Sequence, residues 1–97
     1  MSHYILLINW TEQGIDKINE SPDRYSSFKA LVEKVGGKLI GGYYTLGEYD
    51  VIIIIDAPND EVVMSLMLKV GSAGNVRTKT LKAFTAEEGI KIIKDLP

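Results

Sequence analysis

Apolar residues recur along the 97-residue chain with two periods, and the switches between them outline its elements. His3 to Trp10 reads as a strand, rich in side chains that suit a pleated surface. Thr11 follows as a helix cap, and Glu12-Gln13 open a turn or short helix reaching about Asn19. Ser21-Pro22-Asp23 predicts a firmer start: cap, proline at the first helical position, carboxylate in the first turn. Tyr25, Phe28, Leu31, Val32 and Val35 then recur at helical spacing until Gly36-Gly37 ends the run. Lys38 to Leu46 and Tyr49 to Asp56 read as an antiparallel hairpin about a tight Gly47-Glu48 turn.

The second half repeats the scheme. Asn59 caps a helix whose stripe is Val62, Val63, Leu66, Met67 and Val70, with Gly71 closing it. Ser72 to Asn75 lead into a strand from Val76 to Phe84. Thr85-Ala-Glu-Glu88 is a capping box for a last short helix edged by Ile90, Ile93 and Leu96. Strand, helix, strand, strand, helix, strand predicts an α+β, ferredoxin-like βαββαβ sandwich with a short C-terminal helix, one domain over residues 1–97. Two helices cover one face of such a sheet.

The other face should then be polar, and it is not. Ile52 and Ile54 oppose Val51, Ile53 and Ile55, and Ile5 and Leu7 oppose Tyr4, Leu6 and Ile8. A bare apolar face of that extent needs a cover. A second copy, packed face to face about a two-fold axis, is the economical one, so a homodimer or larger even homo-oligomer is expected. The enclosed space is either filled or open to a ligand. Gly41, Gly42, Asn9, Thr78 and Thr80 favour a pocket, while a bulge and ordinary strand preference explain them equally well.

Composition narrows the chemistry. Eleven basic against 13 acidic side chains leave a formal charge of −2, which argues against nucleic acid or an anionic membrane as partner. The chain has no cysteine, so thiolate ligands, disulfides and cysteine nucleophiles are excluded, and a reducing cytoplasmic setting is expected. The one histidine, His3, does not make a metal site, and no cofactor fingerprint is present.

Trp10-Thr-Glu-Gln-Gly14, Thr45-Leu-Gly-Glu-Tyr-Asp50 and Gly74-Asn-Val-Arg-Thr-Lys-Thr80 stand in an order and spacing that resemble the GYD domain family, whose glycine, tyrosine and aspartate are here Gly47, Tyr49 and Asp50. The resemblance runs from Tyr4 to about Ile93. It implies a ferredoxin-like fold of the dimeric α+β-barrel type and no settled reaction.

Four residues are candidates for a ligand site: Trp10, Tyr44, Asp50 and Arg77. Trp10 and Tyr44 offer rings, Arg77 a fork of donors for an anion, and Asp50 a carboxylate for a hydroxyl or proton. A small organic molecule with an aromatic ring and an anionic group would use all four. The rival reading makes Asp50 and Arg77 a scaffold pair and lets Gln13 satisfy the Trp10 indole. Two functions follow: a small-molecule-binding or regulatory homo-oligomeric module, or a cofactor-free oxygenase or isomerase of the dimeric α+β-barrel type. The absence of a convincing catalytic group favours the first.

Overall fold

A computed structural model describes residues 1–97. Strand β1 is Ser2–Trp10, β2 Lys38–Tyr44, β3 Val51–Ala57 and β4 Val76–Ala83. Helix α1 is Glu12–Asp16, α2 Ser21–Lys34, α3 Asp60–Ser72 and α4 Ala86–Lys94, with a 3-10 turn at Ile18–Glu20 before α2. The strands form one antiparallel sheet in the order β2-β3-β1-β4. This is the ferredoxin-like order expected from the element pattern. No helix is long and apolar enough to cross a membrane.

Register divides the sheet into two faces. Tyr4, Leu6 and Ile8 of β1 stand opposite Ile55, Ile53 and Val51 of β3. All six are buried, beneath Phe28 and Val32 of α2 and Val63 and Leu66 of α3. Leu6, Val32 and Ile55 are the largest fully buried side chains, each worth about 1.5–3 kcal/mol of transfer free energy. The opposite face carries Ile5, Leu7, Ile52 and Ile54, only half-buried. Tyr43 and Leu81 flank them, both exposed. The second apolar face anticipated from β1 and β3 is therefore present and uncovered within one chain.

Three local expectations change, and one open alternative is settled. The hairpin turn is wider than two residues: segment 45–50 joins β2 to β3, with Gly47 at φ +110° in the region that favours glycine. Thr45 and Asp50 close this loop, the Thr45 amide donating to the Asp50 carbonyl at 2.9 Å. Ser21 is the first residue of α2, not its cap, because its hydroxyl is drawn 23 residues away to Tyr44. Helix α3 runs past Gly71 to Ser72, and the turn glycine is Gly74 at φ +85°. Strand β2 bulges between Leu39 and Gly41, so that glycine marks an irregular strand, whereas Gly42 has a different role described below.

Thr11, Asn59 and Thr85 cap α1, α3 and α4 as expected, the last with a complete capping box. Helix α1 is stitched to the turn before β4. The Thr11 amide donates to the Asn75 carbonyl at 3.0 Å and its hydroxyl to the Gly74 carbonyl at 2.6 Å. Gln13 donates to the Ala73 carbonyl and to Asn75 Oδ1, each at 3.0 Å. Its amide is thus spent on this junction, and it does not satisfy the indole of Trp10.

Candidate functional site

Helices α2 and α3 lie apart over the sheet and leave a cleft of about 460 Å³ between them. Its floor is Ile8, Val51 and Ile53 of the central strands. Tyr25, Phe28 and Leu31 form the α2 wall, and Met67 and Val70 the α3 wall. These wall residues were legible as amphipathic stripes, but a stripe looks the same whether it closes on its neighbour or stands off from it. The cleft opens on the helix-covered side of the sheet, not on the face left for a second copy.

Trp10 and Tyr44 meet at one end of this cleft. Their ring centroids are 6.3 Å apart with the planes tilted by 34°. The Tyr44 hydroxyl is 2.9 Å from Ser21 Oγ, which ties the end of β2 to the first turn of α2. Gly42 permits the neighbouring wall: a Cβ there would lie 2.4 Å from the Tyr25 hydroxyl oxygen and 2.6 Å from its ring. Without that side chain the Tyr25 ring lies against the strand.

Asp50 and Arg77 are placed elsewhere. The Asp50 carboxylate accepts the backbone N–H of Trp10, and the Asp50 amide donates to the Ile8 carbonyl. Asp50 therefore fixes the backbone that carries Trp10 rather than lining the cleft itself. Arg77 pairs in register with Asn9, on the open face, and its guanidinium donates to the Val76 carbonyl at 3.1 Å. The two do not form the scaffold pair that sequence allowed.

Arg24 has a place at this site as well, although no motif singles it out. It lines the cleft mouth and donates to the carbonyls of Lys17 at 3.1 Å and Gly14 at 3.3 Å. Those carbonyls lie where α1 gives way to the 3-10 turn, and the Lys17 carbonyl also accepts the Glu20 amide at 2.9 Å. No local pattern announces this, since the contact depends on how α1 and α2 meet.

A second constellation lies beyond α3. The Tyr4 hydroxyl donates to Asp60, whose carboxylate also takes the Lys82 ammonium at 3.1 Å. Burial, and then the adjacent carboxylate, push the Tyr4 hydroxyl above its usual range. The Tyr4 hydroxyl and then Lys82 hold Asp60 below its usual range. At the far end of β1, His3 places Nδ1 against Asp56 and Nε2 3.3 Å from Glu88. Both constellations tie elements together: the first α3 to β4, the second α4 to the sheet.

Comparison with known proteins agrees with this architecture. The chain is 28% identical over 97% of its length, and all of the relative's, to a glutamine synthetase and cystathionine beta-lyase binding protein of Thermus thermophilus. Among solved structures it resembles TTHA0845 from Thermus thermophilus, with a TM-score of 0.56 and 20% identity over 89% of this chain and 96% of that one. It also resembles the leucine response regulatory protein LrpA of Mycobacterium tuberculosis, with a TM-score of 0.57 and 14% identity. That match covers 88% of this chain and 51% of LrpA, so the chain spans about half of the regulator. The family model of the GYD domain matches residues 4–93, the span that carries the sheet, the cleft and most of α4, and the chain belongs to the GYD domain family.

Proposed function

We propose that the chain is a cytoplasmic, homo-oligomeric regulatory module that takes a small organic ligand in the cleft between α2 and α3 and passes its presence to a partner protein. The observation that carries this reading is the cleft itself: an apolar floor and walls with an indole and a phenol at one end. The polar groups around it hold the walls in place, Ser21 to Tyr44 and Arg24 to the end of α1. Such a site is built to bind. The partner clause rests on the Thermus relative, whose name describes binding to two enzymes. A second copy over Ile5, Leu7, Ile52 and Ile54 supplies the oligomer.

Trp10 and Tyr44 are the ligand contacts in this reading, and Asp50 is a positioning residue acting through the Trp10 backbone. Arg77 serves the open face and the assembly on it. A ligand with a flat apolar body and a polar end fits the cleft, body over Ile8 and Ile53 and polar end toward Trp10 and Tyr44.

Trp10 is the only tryptophan, so its emission reports on this site alone. Anilinonaphthalene sulfonate, an aromatic anion, is a direct probe. The expected result is saturable quenching of Trp10 that is lost in Val70→Phe, which fills the cleft. Quenching that persists unchanged in Val70→Phe overturns the assignment of the cleft. Native mass spectrometry of the purified protein provides the second reading, a co-purifying small molecule released by the same substitution.

A further inference from the structure

Both ends of the sheet order are free edges, but the two are not equivalent. Strand β2 is interrupted by the bulge between Leu39 and Gly41, which breaks its edge into two short runs. Strand β4 runs against β1 from Val76 to Ala83 without a shift in register. Its eight residues include no proline and no glycine, and no strand pairs with its outer side. A regular free edge of that length presents a row of unpaired amides and carbonyls to any extended segment whose side chains suit it.

The two sides of this edge differ in chemistry. On the helix side, Thr78 and Thr80 stand in register with the core residues Ile8 and Leu6 and floor a groove of about 470 Å³. Its wall is α3, where Met64 and Leu68, one turn apart, are 66% and 65% exposed. Tyr4, Asp60 and Lys82 close one end. The side away from α3 has no wall, because β4 is the last strand. On the opposite face stand Arg77, Lys79 and Leu81, in register with Asn9, Leu7 and Ile5. The ion pairs of the chain run through His3, Arg24 and Lys82, and neither Arg77 nor Lys79 is in one. The Arg77 guanidinium donates to the carbonyl of its neighbour Val76, and the Lys79 ammonium lies 5.9 Å over the Tyr49 ring.

We infer that the free edge of β4 is where the partner protein docks, by adding to it an extended segment of alternating acidic and apolar residues. This rests on the partner protein of the proposed function and adds where it binds and what chemistry it brings. An added strand continues the floor of the groove about 4.8 Å beyond β4. Its apolar side chains then rise in front of Met64 and Leu68 and supply the missing wall. Its acidic side chains point the other way, as strand residues alternate. They stand beside Arg77 and Lys79, where opposite charges on neighbouring strands attract.

A second copy does not meet these terms. Strand β4 carries Arg77, Lys79 and Lys82 and no acid, so β4 against β4 sets cation beside cation. The other free edge, β2, is bulged and opens with Lys38. The added segment widens the sheet and leaves Ile5, Leu7, Ile52 and Ile54 uncovered for the homo-oligomer. Met67 and Thr78 line both the groove and the cleft, so the docked segment and a cleft ligand share a wall.

The probe is a fluorescein-labelled octapeptide alternating glutamate with valine, followed by anisotropy. It should bind at least about tenfold more tightly than a block peptide of the same composition. Leu68→Glu, at an exposed position, should weaken it by a similar factor. Arg77→Glu with Lys79→Glu should reverse the preference, toward a peptide alternating lysine with valine. Bound peptide should slow amide exchange in 76–83 and not in 38–44. Equal binding of alternating and block peptides, protection confined to 38–44, or a preference that charge reversal leaves unchanged overturns the edge assignment. If Trp10 quenching by anilinonaphthalene sulfonate is still lost in Val70→Phe, the cleft reading survives that failure. Loss of both signals overturns both.

Discussion

The Asp50 carboxylate accepts the backbone N–H of Trp10 at 3.0 Å, across 40 positions of sequence. This bond lies where β1 ends and the Trp10 ring enters the cleft, so a loop residue holds the backbone from which the indole projects. Asp50→Ala should destabilise the fold by about 1.5–3 kcal/mol, the range for a hydrogen bond to a charged group. Asp50→Asn keeps an acceptor and should lose less than half of that. Urea unfolding measures both, and a shift in Trp10 emission in the folded Asp50→Ala protein checks the positioning role.

Gly14 is buried where α1 crosses the turn before β4. A Cβ there would lie 2.0 Å from the Asn75 carbonyl oxygen, a backbone atom that cannot swing aside. Gly14→Ala should therefore cost about 3 kcal/mol. Gly71→Ala is the matched contrast, since its Cβ meets nothing and it lies within α3. That change should stabilise by roughly 0.5–1 kcal/mol through helix preference alone. Thermal melts of the two variants should move in opposite directions.

Gly42 separates fold from site. Its substituent would meet the far end of the Tyr25 side chain instead of backbone. In Gly42→Ala the ring should swing toward the cleft mouth with a modest stability loss, below about 1.5 kcal/mol. Probe binding at the cleft should weaken by about tenfold or more. Unchanged binding in this variant would show that the Tyr25 wall is not part of the ligand surface.

The acid limb of stability should report Asp60. Its carboxyl is held below the ordinary range, first by the Tyr4 hydroxyl and then by Lys82. A lowered folded value means that the stabilisation is present above an unfolded value near 3.9. It is lost as pH falls through the lower folded one. Asp60→Asn should therefore be less stable than wild type at pH 6 and lose less on going to pH 2. Parallel urea midpoints across that range would assign the acid loss to other carboxylates.

The parts of the fold that were legible are those decided by neighbours along the chain. The cap residues Asn59 and Thr85 act within three positions, as local rules require. The double apolar face of β3 could be read from Val51 to Ile55 because strand residues alternate by geometry. Ser21 has the composition of a cap, but its hydroxyl is claimed by Tyr44 once β2 and α2 come together. Asp50, Arg24 and Gln13 likewise find partners that no spacing encodes. The cleft was hidden for a related reason. Its lining residues are ordinary core types, and only the separation of α2 from α3 leaves them open.

The strand order has a consequence for synthesis. Strand β1 sits inside the sheet, yet one of its neighbours, β4, ends at Ala83. A growing chain that has completed β3 can pair it with β1 but leaves the other edge of β1 open, with its apolar residues on both faces. At roughly 5–20 residues per second, that edge waits a few seconds for β4 to emerge. Unpaired apolar strand edges are where nascent chains associate wrongly. The chain is therefore most vulnerable late in translation, and anything that slows the ribosome between Ala57 and Ala83 should lower the yield of native protein without altering a single native contact.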